Sequence, residues 1–316
     1  MNNNLIEKLG IFLDPFTWVF DPAKRIYWVC LFVSVLLAWV YLLSGKISKQ
    51  HFLSLFDRKI WFHKSSFLDL KLLFFNSILK GLIVVPRFFS ISVVSLVLYL
   101  AASSVLGAAI FPEASELSVL VFYSLFVFIS EDFGRFVFHR FQHTIPFLWR
   151  FHQVHHSAEV LTPLTLYRTH PLEVGLNQVR DIIFISIPTA LTMLLFGPNI
   201  SGLDILGVDA LGFVFNAFGA NLRHSHVPIS FGRLDRYFIS PIMHQIHHSL
   251  DPQYFNKNFG TSLSCWDRWS KSLVIAANGN FESLEFGVPS ADLNHRQNLR
   301  SAMMGPFFNP KANYSR

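Results

Sequence analysis

The sequence predicts an all-α integral membrane protein, with about four to five transmembrane helices beneath a helical, histidine-rich cytoplasmic cap. Three observations predict it. Of 316 residues, 52% are hydrophobic and only 15% are charged, with a mean hydropathy of +0.39; a soluble domain carries about 25% charged residues. Charge-free apolar runs recur at membrane-crossing length. Eleven of the 14 histidines fall between positions 139 and 248, in the polar segments between those runs. This composition excludes disorder, which needs low hydrophobicity and high charge. Two cysteines exclude a disulfide scaffold, and 35 Phe with 7 Trp exceed what one water-soluble core of this size can hide. The net charge of +6 comes from Lys and Arg scattered between apolar runs. That pattern fits loops facing anionic lipid and gives no sign of nucleic acid as a partner.

The elements follow in order. Ile26 to Leu43 is free of charge, and about 20 residues at 1.5 Å each cross a hydrocarbon core. It starts too late for a cleaved signal peptide, and no small-residue cleavage site follows. Leu68 to Val85 is apolar but broken by Asp69, Lys71, Asn76 and Lys80, which predicts an interfacial helix, with a sixth crossing as the alternative. Phe88 to Phe111 is the next run, stopped by Pro112 and Glu113. Leu117 to Ser130 continues with helical periodicity through Glu131, Asp132 and Arg135 to His139. Ile182 to Phe196 and Leu203 to Phe218 read as two short helices joined by a tight hairpin at 197–202. Segment 44–87 carries eight Lys/Arg, whereas 112–116 and 197–202 carry none. The positive-inside rule therefore places 44–87, 139–181 and 219–316 in the cytoplasm. It also puts the N-terminus outside, against the charges of Lys8, Lys24 and Arg25.

The histidines have a spacing grammar. His139 and His143 form H-x-x-x-H; His152, His155 and His156 form H-x-x-H-H; His244, His247 and His248 repeat it; His224 and His226 form H-x-H, and His170 precedes Pro171. Chance would give roughly 0.03 H-x-x-H-H matches in such a chain. On a helix, positions i, i+3 and i+4 share a face, so each box is expected to aim two or three imidazoles at one point. Imidazole suits Fe, Zn, Cu and Ni and not Mg or Ca. The three boxes and His224 give nine nitrogen donors, more than the four to six that one metal accepts, which favours two metals. Other metal enzymes and common folds are excluded by inspection. No Glu is followed by His three residues on, and H-E-x-x-H, C-x-x-C, G-x-S-x-G, Walker A and G-x-G-x-x-G are absent.

The stretch FHRFQHTIPFLWRFHQVHHS (138–157), with RTHPLE (168–173), HQIHHS (244–249), NFG (258–260) and WDR (266–268), resembles the fatty acid hydroxylase / sterol desaturase superfamily. The similarity covers roughly 117–275. It implies a helical membrane protein whose cytosolic cap holds a histidine-bound di-iron centre, with zinc as a substitute ion. It also implies use of O₂ and external electrons to hydroxylate or desaturate lipids. Carried over, the expected ligands are His139, His143, His152, His155, His156, His244, His247 and His248, with His224 at another family position. His226 stands where many relatives have Asn. His170 matches a His-Pro of sterol-type members and is open as a ligand, a support for one, or a helix stop. The chain divides into an N-terminal membrane region (1–116), a hydroxylase-like catalytic domain (117–275) and a C-terminal cytoplasmic tail (276–316).

Ligating imidazoles usually donate their other N–H to an oxygen acceptor. Asp132, Glu159, Asp251 and Asp267 lie near the boxes in sequence and are the candidates. Asp132, Arg135 and His139 share a helical face, where an ordinary ion pair is the competing reading. Asn258, Phe259 and Gly260 should turn beside the third box, and Trp266 and Trp269 serve as interface anchors or pocket wall. The expected function is hydroxylation of a C–H bond of a membrane lipid (fatty acyl, sterol-like or headgroup). A lipid desaturase or ether-lipid monooxygenase is the alternative within the class. A metal transporter or sensor is the rival outside it, disfavoured because the runs 26–43, 88–111, 182–196 and 203–218 contain no histidine and only Asp204 and Asp209 as charges. A separate electron donor, such as a ferredoxin, a cytochrome b5-like protein or a reductase, is implied. The expected setting is a bacterial inner membrane in preference to the endoplasmic reticulum, with the site on the cytoplasmic side.

Overall fold

The computed structural model describes residues 15–22, 24–83, 87–107, 109–198, 214–215, 219–276, 284–288 and 297–308. Among these residues the chain is all-helical, with no strand and two isolated bridges, Phe238–Leu263 and Ser249–Phe286. The predicted run 203–218 (except 214–215), most of the 197–202 hairpin, Asp204, Asp209 and most of 276–316 lie outside the described residues.

Helix α1 (Trp28–Leu43) fills the first apolar run. Its end is a Schellman motif: Gly45, at φ +69°, donates to Leu42 O, and Lys46 donates to Tyr41 O, both at 3.0 Å. Two short basic helices follow, α2 (Lys49–Ser54) and α3 (Arg58–Trp61), capped by Ser48 and Asp57. Helix α4 (Lys64–Ile83) covers the stretch expected at the interface. One face of it is buried, at Ser65, Leu68, Asp69 and Leu72. It packs against the segment after α7, because Asp69 and Asn76 reach partners there, Arg168 and the Thr169 carbonyl.

Helix α5 (Arg87–Leu106) leads to α6 (Glu116–Thr144), capped by Ser115, and then to α7 (Pro146–His156). A 3-10 turn, Pro163–Tyr167, precedes α8 (Pro171–Phe196). Helices α6 and α8 are long and apolar enough to cross a membrane. The sequence reading began α8 at Ile182, since Arg180 and Asp181 interrupt the apolar run. The helix begins at Pro171, because His170 caps it and proline suits its first position. The two charges pair with each other at 2.6 Å.

Small residues let α6 and α8 approach. A Cβ on Gly134 would lie 2.4 Å from Phe184 Cγ. Pro188 lacks the N–H that would bond the Phe184 carbonyl, and Ser130 Oγ donates to that carbonyl at 2.7 Å instead. Outward faces carry exposed Phe32 and Leu36 on α1, Leu125 and Ile129 on α6, and Ile183 and Ile187 on α8. This apolar belt marks a membrane protein. The cap is completed by α9 (Pro241–His247), α10 (Cys265–Trp269) and α11 (Leu299–Phe308).

Candidate metal centre

Helix α6 delivers His139 and His143 from its last two turns, α7 delivers His152, His155 and His156, and the 3-10 turn Ala220–His224 delivers His224. Helix α9 brings His244 and His247, with His248 at its C-cap. The structure gathers these nine into two groups: His139, His143, His152, His156 and His247; and His155, His224, His244 and His248. Within each, the donor atoms lie within 4.8 Å of one another. Each box aims two imidazoles at one group, the lower of the two numbers its spacing allows. In the H-x-x-H-H boxes positions i and i+4 go to one group and i+3 to the other, because i+3 and i+4 diverge by about 100° around a helix. In α7, His152 and His156 join the five-membered group; in α9, His244 and His248 join the four-membered one. The His156 and His248 rings stack across the boundary at 4.4 Å.

The donor chemistry fits metal. His139 Nδ1–H donates to Phe259 O at 2.8 Å, His247 Nδ1–H to Lys257 O at 2.7 Å, and His152 Nδ1–H to Glu173 Oε1 at 2.9 Å. Each bond fixes a tautomer whose Nε2 lone pair is free. His152 Nε2, His247 Nε2, both nitrogens of His156 and His248 Nδ1 are buried without a hydrogen-bond partner. Leaving such atoms unpaired costs about 1–3 kcal/mol each. In the smaller group, successive Nε2 atoms lie 3.3 Å (His155–His224), 3.1 Å (His224–His244) and 3.2 Å (His244–His248) apart. Nitrogens about 2.1 Å from one cation are roughly 3.0–3.4 Å apart. Burial pushes His152 and His155 down to about 3, and His156, His224, His244, His247 and His248 well below the usual histidine range. The imidazoles are therefore neutral and available as donors.

The other predicted residues lie elsewhere. His170 caps α8, accepting from Leu172 N at 3.1 Å while its Nε2–H donates to Met303 O. His226 accepts from Leu161 N and lines two cavities. Neither joins a group. Asp132 touches no histidine. It accepts from Ser262 N, Leu263 N and Trp266 Nε1, pinning the loop before α10. Arg135 pairs with Glu131 instead. Trp269 is exposed. Asp251 caps an exposed turn, and Glu159 lies 3.9 Å from His63. Asp267 supports the site at one remove, holding Phe259 N and Gly260 N at 2.8 and 2.7 Å so that the Phe259 carbonyl meets His139. A Cβ on Gly260 would sit 2.8 Å from Asp267 Oδ2, so glycine is needed there.

Sequence reasoning missed Glu173, which is buried and binds His152 and Gln142. Its signal was available: a carboxylate in the first turn of a helix that then turns apolar. Arg168 was missed too. Fully buried, it pairs with Asp69 at 2.9 Å and donates to Val154 O, Ser157 and Gln297. It thereby ties the end of α7 to α4.

Residues 124–272 match the model of the fatty acid hydroxylase family. Through this segment, just under half of the chain, it is similar to the fatty acid hydroxylase family. All nine clustered histidines, Glu173 and Asp267 lie inside the matched fatty acid hydroxylase segment, whereas Asp69 lies outside it. The chain is 33% identical to an alkylglycerol monooxygenase of Danio rerio over 45% of its length and 28% of the relative's. It is 30% identical to an ornithine lipid hydroxylase of Rhizobium tropici over 44% of this chain and 38% of that one. It is 26% identical to human cholesterol 25-hydroxylase over 52% and 56%. The chain thus spans well under half of the first two relatives. No solved structure matches it.

Proposed function

We propose that this protein is a membrane-bound di-iron oxygenase that hydroxylates a C–H bond of a membrane lipid. The observation that carries the reading is the pair of largely buried groups, five and four imidazoles, with unpaired nitrogens on His152, His156, His247 and His248. His139, His143, His152, His156 and His247 would hold one ion, and His155, His224, His244 and His248 the other. Iron is the native metal in this reading and zinc a substitute. The bound pair supplies reductive use of O₂ by the balance R–H + O₂ + 2 e⁻ + 2 H⁺ → R–OH + H₂O, with electrons from a separate ferredoxin, cytochrome b5-like protein or reductase. The chain's own part is to bind, orient and exclude water. Glu173, the Phe259 carbonyl and the Lys257 carbonyl hold protons on Nδ1 of His152, His139 and His247. The clustered histidines keep bulk water out by burial.

The similarity to alkylglycerol monooxygenases supports a second reading with the same balance, attack on an ether lipid. The domain division at 117 and 275 belongs to the proposal, as do four to five crossings, a cytoplasmic cap and a bacterial inner membrane. Cysteine labelling tests the topology. An impermeant reagent should reach Ser115→Cys from outside and native Cys265 only from inside; the reverse refutes the orientation. For the reaction, purified protein should carry about two transition metals per chain. With ¹⁸O₂ a hydroxylated lipid should gain one labelled oxygen. An unlabelled alkene that needs O₂ would make the enzyme a desaturase, and oxygen-independent turnover or label from water would sink the oxygenase reading.

A further inference from the structure

Two cavities abut behind the four-histidine group. One, of about 670 Å³, has a mixed lining in which Lys49, Gln50, Asp57 and Gln245 stand beside Leu53 and Phe286. The other, of about 390 Å³, is apolar and lined by Leu31, Val35, Leu55, Phe56, Trp61 and Leu222. They share Ser54, Ile60 and His226 as common wall. Both volumes fall within the roughly 300–1,000 Å³ of small-molecule sites. Ser225 and Gln245 line them, while their neighbours His224 and His244 turn into the histidine group. The apolar chamber is bounded by α1, whose outward face carries exposed Phe32, Leu36 and Trp39. The mixed chamber offers one ammonium, Lys49, and one carboxylate, Asp57, from α2 and the turn before α3.

We infer that this double cavity binds a single amphipathic lipid with a zwitterionic headgroup. The chain lies in the apolar chamber. Lys49 faces the anionic group and Asp57 the cationic group of the head. Both side chains are exposed, with Asp57 also capping α3; a zwitterionic head offers each a partner of opposite sign, whereas a purely anionic one would meet Asp57. His226 stands at the junction, where head meets chain, and this accounts for a histidine that joins neither metal group. The site's use as a substrate subsite rests on the lipid-oxygenase reading; the binding itself does not.

The test is lipid retention by the full chain in detergent, read by native mass spectrometry. Dioleoyl phosphatidylethanolamine, dioleoylglycerol and dioleoyl phosphatidylglycerol are offered in turn. Wild type should retain one phosphatidylethanolamine in preference to the other two, by about tenfold. The double variant Lys49→Met/Asp57→Asn should lose that preference while still binding dioleoylglycerol. Val35→Trp, which fills the apolar chamber, should lose all three, whereas Leu36→Trp, on the outward face of α1, should behave as wild type. Free glycerophosphoethanolamine should not compete, since it has no chain. Equal retention of the three lipids by wild type, unchanged preference in the double variant, or equal losses in Val35→Trp and Leu36→Trp would overturn the proposal. So would competition by the free headgroup. Metal per chain is measured on the same samples. Its absence from wild type would defeat the di-metal reading and leave the lipid result standing.

Discussion

Glu173 is the carboxylate with the most direct hold on the histidine groups, and it shows what a single side chain decides here. It accepts from His152 Nδ1 and Gln142 Nε2 in a buried setting. It fixes the His152 tautomer, while burial pushes its own carboxyl above the usual carboxylate range. Loss of such a support typically costs 10- to 100-fold in metal affinity, about tenfold for Glu173→Gln, which keeps an acceptor oxygen, and more for Glu173→Leu. Chelator competition and metal per chain measure this, and wild-type affinity in Glu173→Leu would refute the role. Asp251→Ala should leave metal content unchanged, because Asp251 only caps an exposed turn.

At the scale of elements, the α6–α8 contact sets the direction in which His139 and His143 are presented. Gly134 leaves no room for a methyl group against Phe184. Gly134→Ala should therefore destabilise the protein by about 1–3 kcal/mol through overpacking. Thermal unfolding in detergent should show the loss, and Phe184→Leu in the same chain should recover part of it. A melting point unchanged by Gly134→Ala would mean that the helices are not in close contact there. Ser130→Ala should also destabilise, since it strips the Phe184 carbonyl, already without its helical partner at Pro188, of its donor.

For the whole molecule, the buried Arg168–Asp69 pair joins the N-terminal helices to the histidine-bearing cap. Burial raises the Asp69 carboxyl against the lowering effect of Arg168. Removing one partner strands the other, so Arg168→Met should cost about 3–5 kcal/mol, and Arg168→Met/Asp69→Leu should cost less than the single change. Additive losses on denaturation would contradict the coupling. Metal should act on the same scale. Binding to the native state alone stabilises by ~2.7 kcal/mol at a hundredfold excess over Kd. Chelation should thus lower the melting temperature, and iron or zinc should restore it. A melting temperature indifferent to chelator would count against a metal held by these histidines.

The sequence by itself determined the helical membrane class, the extent of α1, the starts of α5 and α6, and the nine histidines with their chemistry. These are local properties: apolar length sets a span, helical spacing sets a face, and imidazole sets the kind of metal. Tertiary structure decided how the histidines divide. Spacing places His152, His155 and His156 around one helix, but only the arrival of α6, α9 and the 220–224 turn assigns them to separate groups. It also decided the roles of acceptors. Asp132 lies about two turns before His139 yet bonds a loop more than 100 residues away, whereas Glu173, on another helix, reaches His152. His170 became a cap and His226 a cavity wall for the same reason. A hydrogen bond is short-ranged in space and indifferent to distance along the chain, so its partner is chosen by packing.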